Sequence, residues 1–218
     1  MNGRPLVLNW AEAHLPAILE TWHLGTQSGN AIAEVLYGDY NPSGKLPMSF
    51  PRSVGQLPLY YNYKSTGRPG ADGTDAGSVF WSHYGDEKNT PLYPFGYGLS
   101  YTTFEYSNIR LSSNTLDLES SITASVTVSN TGKVKGKEVV QMYIKDHFAS
   151  TTRPVRELKG FELLSIEPGA SVDVQFEISK EDLEFYTENK IWEAEPGAFT
   201  VFIGTNSATK RFAAFTLR

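Results

Sequence analysis

The sequence of 218 residues contains no cysteine. This absence excludes a disulfide framework, a thiolate zinc site and a thiol nucleophile. Positive charge is also scarce, because 19 Lys and Arg stand against 24 Asp and Glu, a formal net charge of −5. No basic stripe of the kind that binds nucleic acid is present, so we expect no nucleic-acid partner.

Long apolar runs are missing as well. No stretch is long enough to span a bilayer, and the apolar run at residues 5–10 is too short for the core of a signal peptide. We therefore predict no membrane span. The length is sufficient for one large domain or two small ones, each with its own core.

The N-terminal residues have the pattern of an α/β layer. The run "PLVLNW" at residues 5–10 predicts a buried strand. A helix is predicted directly after it, because four apolar residues recur at helical spacing: Leu15, Ile18, Leu19 and Trp22. A buried parallel strand needs neighbours on both sides, so we interpret residues 1–58 as the end of an α/β layer that continues upstream.

A second helix is predicted before residue 38. Ser28 or Asn30 is placed to act as its N-cap, apolar residues at 32, 35 and 36 share one face, and Gly38 is placed to end it. Residues 59–100 follow as a linker, and the Gly- and Asp-rich stretch 66–78 within it predicts an exposed loop.

The C-terminal half alternates apolar and polar residues in several runs bounded by turn signals. Four such strands are predicted around residues 122–128, 140–144, 172–178 and 199–203. Repeated half-buried strands of this kind predict an all-β sandwich of about seven antiparallel strands, of the immunoglobulin or fibronectin type III kind. We place this domain at residues 101–218.

Motifs for nucleotides and metals fail on spacing. "GDYNPSGK", residues 38–45, resembles a phosphate loop but has one residue too many between its glycines. As a calcium loop it fails because Phe50 occupies the position of the required glutamate. The four histidines lack the paired spacing of metal ligands. We expect a turn here, and neither a cofactor nor a metal in this chain.

A carboxylate pair lies in an aromatic neighbourhood at Asp86 and Glu87. Glycoside hydrolysis needs two carboxyl groups on opposite sides of the scissile bond, roughly 5 to 9.5 Å apart. Adjacent side chains point apart in an extended segment, so we interpret both as solvated. The nearby rings of Phe80, Trp81 and Tyr84 suit either stacking on a sugar or packing in a core. Residue chemistry alone shows no catalytic constellation.

Three motifs carry a family resemblance. "GDYNPSGKLP" (38–47), "TGRP" (66–69) and "PFGYGLSYTTF" (94–104) closely resemble the C-terminal part of glycoside hydrolase family 3 β-glucosidases, notably the periplasmic bacterial type. The later "VSNTGKVKGKEVVQMYIKD" resembles the fibronectin type III-like domain of that family. The resemblance implies a retaining enzyme built from a barrel, an α/β sandwich and this β-sandwich, and its members are often periplasmic or secreted.

The resemblance also implies where catalysis takes place. An Asp on the barrel is the family's nucleophile, and a Glu upstream of the "NGRPL" stretch is its acid/base. Neither the nucleophile motif nor the barrel's sugar-binding signature is found here, so we predict no catalytic residue in this chain. Arg68, Trp81 and Tyr84 are predicted to contact a β-glucoside or oligosaccharide substrate at the barrel mouth of an intact enzyme, whose barrel is supplied in cis or in trans.

The stretch "PLYPFGYGLSYTTFEY", residues 91–106, suits a sugar-binding surface, a hinge or a stiff join. We predict a packed join, in which Pro94 fixes φ, Gly96 and Gly98 permit tight turns, and the rings fill a domain interface.

Two other functions are compatible with the sequence. The first is a stand-alone module that binds carbohydrate or cell wall, and the second is a subunit that completes a separately encoded barrel. A β-sandwich hosts many functions, so its fold alone does not decide among them.

Overall fold

The computed structural model describes residues 1–65, 67–69 and 80–218. Its helices are α1 (Asn9–His14), α2 (Ser28–Tyr37) and α3 (Lys180–Leu183), with a short 3₁₀ helix at Val54–Gln56. Its strands are β1 (Phe104–Tyr106), β2 (Arg110–Leu111), β3 (Thr115–Leu116), β4 (Ser121–Asn130), β5 (Gly136–Asp146), β6 (Glu157–Ile166), β7 (Ser171–Ser179), β8 (Phe185–Tyr186), β9 (Trp192–Glu193), β10 (Gly197–Gly204) and β11 (Phe212–Leu217). Within the part described, each helix is too short or too polar to cross a bilayer.

Two sheets form a sandwich from β1 to β11. In the first sheet, β4 pairs with β7 along one edge and with β1 and β2 along the other. The second sheet has the order β3-β11-β10-β5-β6, in which β3 alone runs parallel to its neighbour. The β8–β9 hairpin stands apart from both. The four strands predicted from alternation are confirmed as parts of β4, β5, β7 and β10.

The main hydrophobic core lies between these two sheets. The alternating inward residues of the long strands form it, among them Val126 and Val128 of β4, Met142 of β5 and Val201 of β10. Alternation works because successive side chains of a strand point to opposite faces. The two sheets contain nine strands rather than about seven, since β1, β2 and β3 are two or three residues long and too short to show a period.

The predicted N-terminal strand is wrong. Residues 5–8 adopt no strand, and no described strand pairs with them. Val7 and Trp10 are exposed rather than buried. The physical reason is that a strand needs a partner for its backbone N–H and C=O groups, and the described residues offer none at this position.

The first predicted helix is displaced. Helix α1 ends at His14, and Leu15 is extended with φ −109° and ψ 137°. Proline disfavours helical backbone at the residue before it, so Pro16 stops the helix ahead of the apolar residues that suggested it. Of those four residues, Leu15, Ile18 and Leu19 are exposed, and Trp22 is half-buried with its ring edge-on to that of Phe50, 5.8 Å between centroids.

Helix α2 agrees with the sequence at its end but not at its start. Gly38 ends it in the left-handed conformation, with φ 86°, as predicted. The N-cap is Gln27, and its side chain makes no capping hydrogen bond. Ser28 and Asn30 therefore lie inside the helix, and Asn30 donates instead to the side-chain oxygen of Gln27 at 2.7 Å.

The stretch 91–106 packs as a join between the N-terminal segments and the sandwich. The ring of Phe95 stacks on Tyr61 with centroids 4.4 Å apart, and Tyr61 meets the ring of Tyr143 edge-on at 5.9 Å. Gly96 has φ 81°, and a methyl group there would lie 2.1 Å from Oε1 of Gln141. At Gly98 a methyl group would lie 2.5 Å from the carbonyl oxygen of Gly44. These contacts agree with the predicted packed join.

A buried ion pair crosses the same join. Lys45 Nζ donates to Glu138 Oε2 at 2.9 Å and to the carbonyl oxygen of Gly98 at 3.0 Å. Tyr106 donates its hydroxyl to the other oxygen of Glu138 at 2.8 Å. Burial and the neighbouring Glu138 carboxylate raise the pKa of Tyr106, so its hydroxyl remains a donor. Both oxygens of a nearly inaccessible carboxylate are thus satisfied.

Candidate functional site

Two segments of the predicted loop region lie side by side. The amide of Ser82 donates to the carbonyl oxygen of Arg68 at 2.8 Å, and Pro69 forms a parallel bridge with Ser82. Arg68 therefore lies beside Ser82. Trp81 directly precedes Ser82 in the sequence, and Tyr84 follows two residues after it. Of the predicted exposed loop at residues 66–78, residue 66 and residues 70–78 lie outside the described residues.

Hydrogen bonds from one asparagine shape the turn that carries Tyr84. Asn89 accepts from the amide of Tyr84 at 3.2 Å and donates to the carbonyl oxygen of Ser82 at 2.8 Å. The ring of His83 is in hydrogen-bonding contact with the carbonyl oxygen of Trp81 at 2.7 Å. Residues 81–89 therefore form a turn in which side chains of the turn itself bond several of its backbone groups.

A buried glutamine holds the base of this turn. Gln56, at the end of the 3₁₀ helix, is 3% exposed and donates to the carbonyl oxygen of Lys88 at 2.7 Å. Its own side-chain oxygen accepts from the amide of Arg52 at 2.7 Å, and Arg52 Nε donates to the carbonyl oxygen of Thr90 at 3.1 Å. Removing either side chain would take a donor from a partly buried backbone carbonyl oxygen.

The surface that results is aromatic and accessible. Trp81 and Tyr84 are about two-fifths exposed and Phe80 is 69% exposed, while Arg68 is also exposed. We call Arg68, Trp81 and Tyr84 the loop surface. Aromatic faces pack against the apolar C–H face of a sugar, and a guanidinium supplies several donors for hydroxyl oxygens. The three predicted residues thus come from two segments that adjoin.

The neighbouring carboxylates have no arrangement for acid/base work. Asp86 is exposed, and Glu87 uses one oxygen to accept from the amide of Lys88 at 2.8 Å. They remain adjacent in sequence on the outside of the turn. Among the described residues, no three His, Asp or Glu side chains are grouped as metal ligands.

The stretch 38–45 is structural. Asn41 accepts from the hydroxyl of Ser100 at 2.9 Å and from the amide of Tyr101 at 2.8 Å, and it donates to the carbonyl oxygen of Lys135 at 2.9 Å. An oxygen that already accepts two hydrogen bonds is poorly available to an ion. The turn therefore ties the N-terminal segment to the join and to the sandwich.

Sequence reasoning missed the residues that hold the loop surface. Arg52, Gln56 and Asn89 belong to no motif and have no periodicity. The only hint was a polar residue, Gln56, between the apolar Val54 and Leu57. Its role depends on which carbonyl oxygens it reaches, and those lie more than 30 residues away along the chain.

Comparison with known proteins identifies the family. Residues 1–101 match the glycosyl hydrolase family 3 C-terminal domain, and residues 138–207 match a fibronectin type III-like domain. The chain belongs to glycoside hydrolase family 3 and corresponds to the C-terminal part of its members. The predicted fold class, an α/β fragment followed by a fibronectin type III-like sandwich, is confirmed.

Individual relatives agree along the whole chain. A periplasmic β-glucosidase of Salmonella typhimurium is 54% identical over 217 residues, which is 100% of this chain and 28% of that protein. A β-xylosidase of Formosa agariphila is 44% identical over 95% of this chain and 27% of its own length. The structure of a mutant Listeria innocua β-glucosidase in complex with laminaribiose superimposes with a TM-score of 0.93 at 42% identity, over 100% of this chain and 30% of that one.

Proposed function

We propose that this chain is the C-terminal part of a retaining β-glucosidase that hydrolyses terminal β-linked glucosyl residues. The observation that carries this proposal is the identity of 54% along the full chain with the periplasmic β-glucosidase of Salmonella typhimurium. In this proposal the catalytic nucleophile and acid/base belong to the barrel and the upstream α/β segments, as the family resemblance implies. We further propose residues 1–58 as the end of the α/β sandwich, 59–100 as linker and mouth loop, and 101–218 as the fibronectin type III-like domain.

The exposed apolar face of the N-terminal segments supports the proposal that upstream segments pack on this chain. Its side chains include Trp10 at 68% exposure and Leu36 at 65%. The described residues leave the main core inside the sandwich, and the N-terminal segments do not close a comparable core of their own. In this proposal the upstream part of the α/β domain, in cis or in trans, covers that face.

The role of the chain in the reaction is to complete the mouth of the active site. The barrel supplies the pocket for the glucosyl unit that is transferred, so the loop surface faces the leaving-group side of the substrate. Trp81 and Tyr84 offer rings to stack on the leaving-group sugar, and Arg68 donates to its hydroxyl oxygens. The bound laminaribiose in the Listeria innocua structure makes a disaccharide the fitting probe.

Removal of the Arg68 guanidinium is expected to weaken disaccharide binding. In this chain joined to the upstream part of the Salmonella typhimurium enzyme, Arg68→Ala should raise the KM for laminaribiose roughly tenfold, since a hydrogen bond to a charged group contributes about 1.5–3 kcal/mol. The kcat should change little, because the bond lies away from the reacting carbon. Steady-state kinetics measure both constants.

Two controls separate this role from stability and from general charge. Arg110→Ala removes an exposed arginine of β2 and should leave the kinetics unchanged. Nitrophenyl β-glucoside has no leaving-group sugar, so its KM should respond less to Arg68→Ala. An unchanged KM for laminaribiose in Arg68→Ala, with unchanged unfolding, would remove Arg68 from the site.

A further inference from the structure

The connection between β5 and β6, residues 147–156, reaches out of the sandwich to the segment that leads to Arg68. The amide of Val155 donates to the carbonyl oxygen of Tyr63 at 2.9 Å, and Pro154 forms an antiparallel bridge with Lys64. Lys64 lies four residues before Arg68. The sandwich therefore contacts the chain immediately ahead of the loop surface.

Arg153 fixes this connection to the sandwich. Its Nη2 donates to Glu157 Oε2 at 2.8 Å, and its Nε lies 3.6 Å from Asp146 Oδ2. The guanidinium also lies over the ring of Phe185, 4.3 Å from the centroid. The side chain is 15% exposed and that of Asp146 is 5% exposed. Arg153 thus contacts three parts of the domain: the end of β5, the start of β6 and β8.

The charges around Arg153 make it hard to replace. Burial raises the pKa of Asp146, and the amide of Phe148 and the Arg153 guanidinium oppose that rise. Without the guanidinium, Asp146 would be a buried carboxylate beside Glu157 with no cation between them. The connection would then shift to bring water or another donor to these oxygens.

Neighbouring contacts limit how far such a shift extends. The other end of the connection has its own bonds, from the amide of Ser150 to Glu195 at 2.8 Å and between His147 and Thr200 at 2.8 Å. Tyr61 is held independently between Phe95 and Tyr143. Pro154 and Val155 follow Arg153 directly in sequence, so their contacts with residues 63–64 are the nearest to it along the connection.

We propose that Arg153 is a positioning residue for the loop surface: through Pro154 and Val155 it fixes Tyr63 and Lys64, and hence the place from which Arg68 reaches the leaving-group sugar. This inference rests on the proposed function for its effect on the substrate. It makes the fibronectin type III-like domain a determinant of how tightly a disaccharide binds, although the loop surface itself lies outside that domain.

Amide hydrogen exchange tests the structural half in the 218-residue chain itself. Arg153→Ala should accelerate exchange at Val155 at least tenfold, because its amide loses a fixed acceptor. Exchange at Ser207, whose amide donates to Phe95 at the join, should stay unchanged. Equal protection of Val155 in the wild-type chain and the variant would overturn the positioning role without touching the proposed function.

Kinetics of the joined enzyme test the consequence. Arg153→Ala should raise the KM for laminaribiose about fivefold with kcat nearly constant, and Arg153→Lys should recover part of the loss by restoring a cation. In an Arg68→Ala background the same change should have no further effect, because residues that act through one another are not additive. If Arg153→Ala folds poorly, Glu157→Gln serves as a milder variant that keeps an acceptor for Arg153. We expect Glu157→Gln to raise the KM for laminaribiose about twofold.

The outcomes distinguish the two proposals. If Arg68→Ala raises KM and neither Arg153→Ala nor Glu157→Gln does, the positioning role is wrong and the proposed function stands. If the Arg153→Ala effect persists undiminished in the Arg68→Ala background, Arg153 does not act through Arg68 and the inference is wrong. If Arg68→Ala leaves KM unchanged, the proposed loop surface is wrong and the inference is wrong with it.

Discussion

Lys45→Met is expected to lower the free energy of unfolding of the chain by about 3–5 kcal/mol. The change leaves the Glu138 carboxylate, whose side chain is 2% exposed, with only the hydroxyl of Tyr106 as a donor. A buried charge without its counter-ion is far more costly than a lost surface pair. Denaturant unfolding of the purified chain, followed by tryptophan fluorescence, measures the difference.

Two further variants make this expectation specific. Glu138→Gln combined with Lys45→Met removes both charges and keeps an acceptor for Tyr106, so the double variant should be more stable than Lys45→Met alone. Lys135→Met breaks an exposed ion pair with Glu167 and should cost less than about 1 kcal/mol. Equal losses in Lys45→Met and Lys135→Met would contradict a buried pair at the join.

Gly96→Ala should destabilise the join by about 2–6 kcal/mol. The backbone at this position has φ 81°, where an L-residue costs about 1–3 kcal/mol. The added methyl group would also displace Gln141, which donates to the carbonyl oxygens of Gly96 at 3.2 Å and Thr205 at 2.6 Å, and overpacking adds about 1–3 kcal/mol. Thermal unfolding of the chain reports the loss.

Gly29 supplies the matched control for this substitution. It lies within α2, and a methyl group there meets no atom within 4 Å. Gly29→Ala should therefore be neutral or stabilise the helix by up to about 1 kcal/mol. If Gly96→Ala proved as harmless as Gly29→Ala, the close contact between residue 96 and β5 would not exist in solution.

Much of the sandwich was predictable because its long strands have one buried face. In β4, Ile122, Ala124, Val126 and Val128 alternate with polar residues, and all four are buried. The outer face of β5 is not exposed and polar in this way, because the join buries Gln141 and Tyr143 there. A period of two shows which residues face the core, but not that a second part of the chain covers the other face.

The N-terminal segments were predicted less well because several of their apolar residues stay exposed among the described residues. The spacing of Leu15, Ile18 and Leu19 resembles one face of a helix, yet Pro16 prevents that helix and the side chains remain exposed. Periodicity reports a face that is suited to burial, and the partner that buries it has to come from elsewhere. Gly38, by contrast, ends α2 for a local reason that the sequence contains.

The loop surface was predictable only as residue types. Trp81, Tyr84 and Arg68 have the chemistry of a sugar contact, and the family motif "TGRP" marks the position of Arg68. Their placement depends on hydrogen bonds from Asn89 and Gln56 to particular carbonyl oxygens, which no sequence pattern encodes. The same holds for Arg153, whose partners are distributed over β5, β6 and β8.

In the proposed function, this chain completes an active site whose catalytic carboxylates lie outside it. The most direct test compares hydrolysis of nitrophenyl β-glucoside and β-xyloside by the purified chain, by its Asp86→Asn, Glu87→Gln double variant, and by the chain joined to the upstream part of the Salmonella typhimurium enzyme. We expect no turnover by either form of the isolated chain. The joined enzyme should hydrolyse the glucoside and should tolerate the double substitution. Turnover by the isolated chain that the double substitution abolishes would contradict the proposed function.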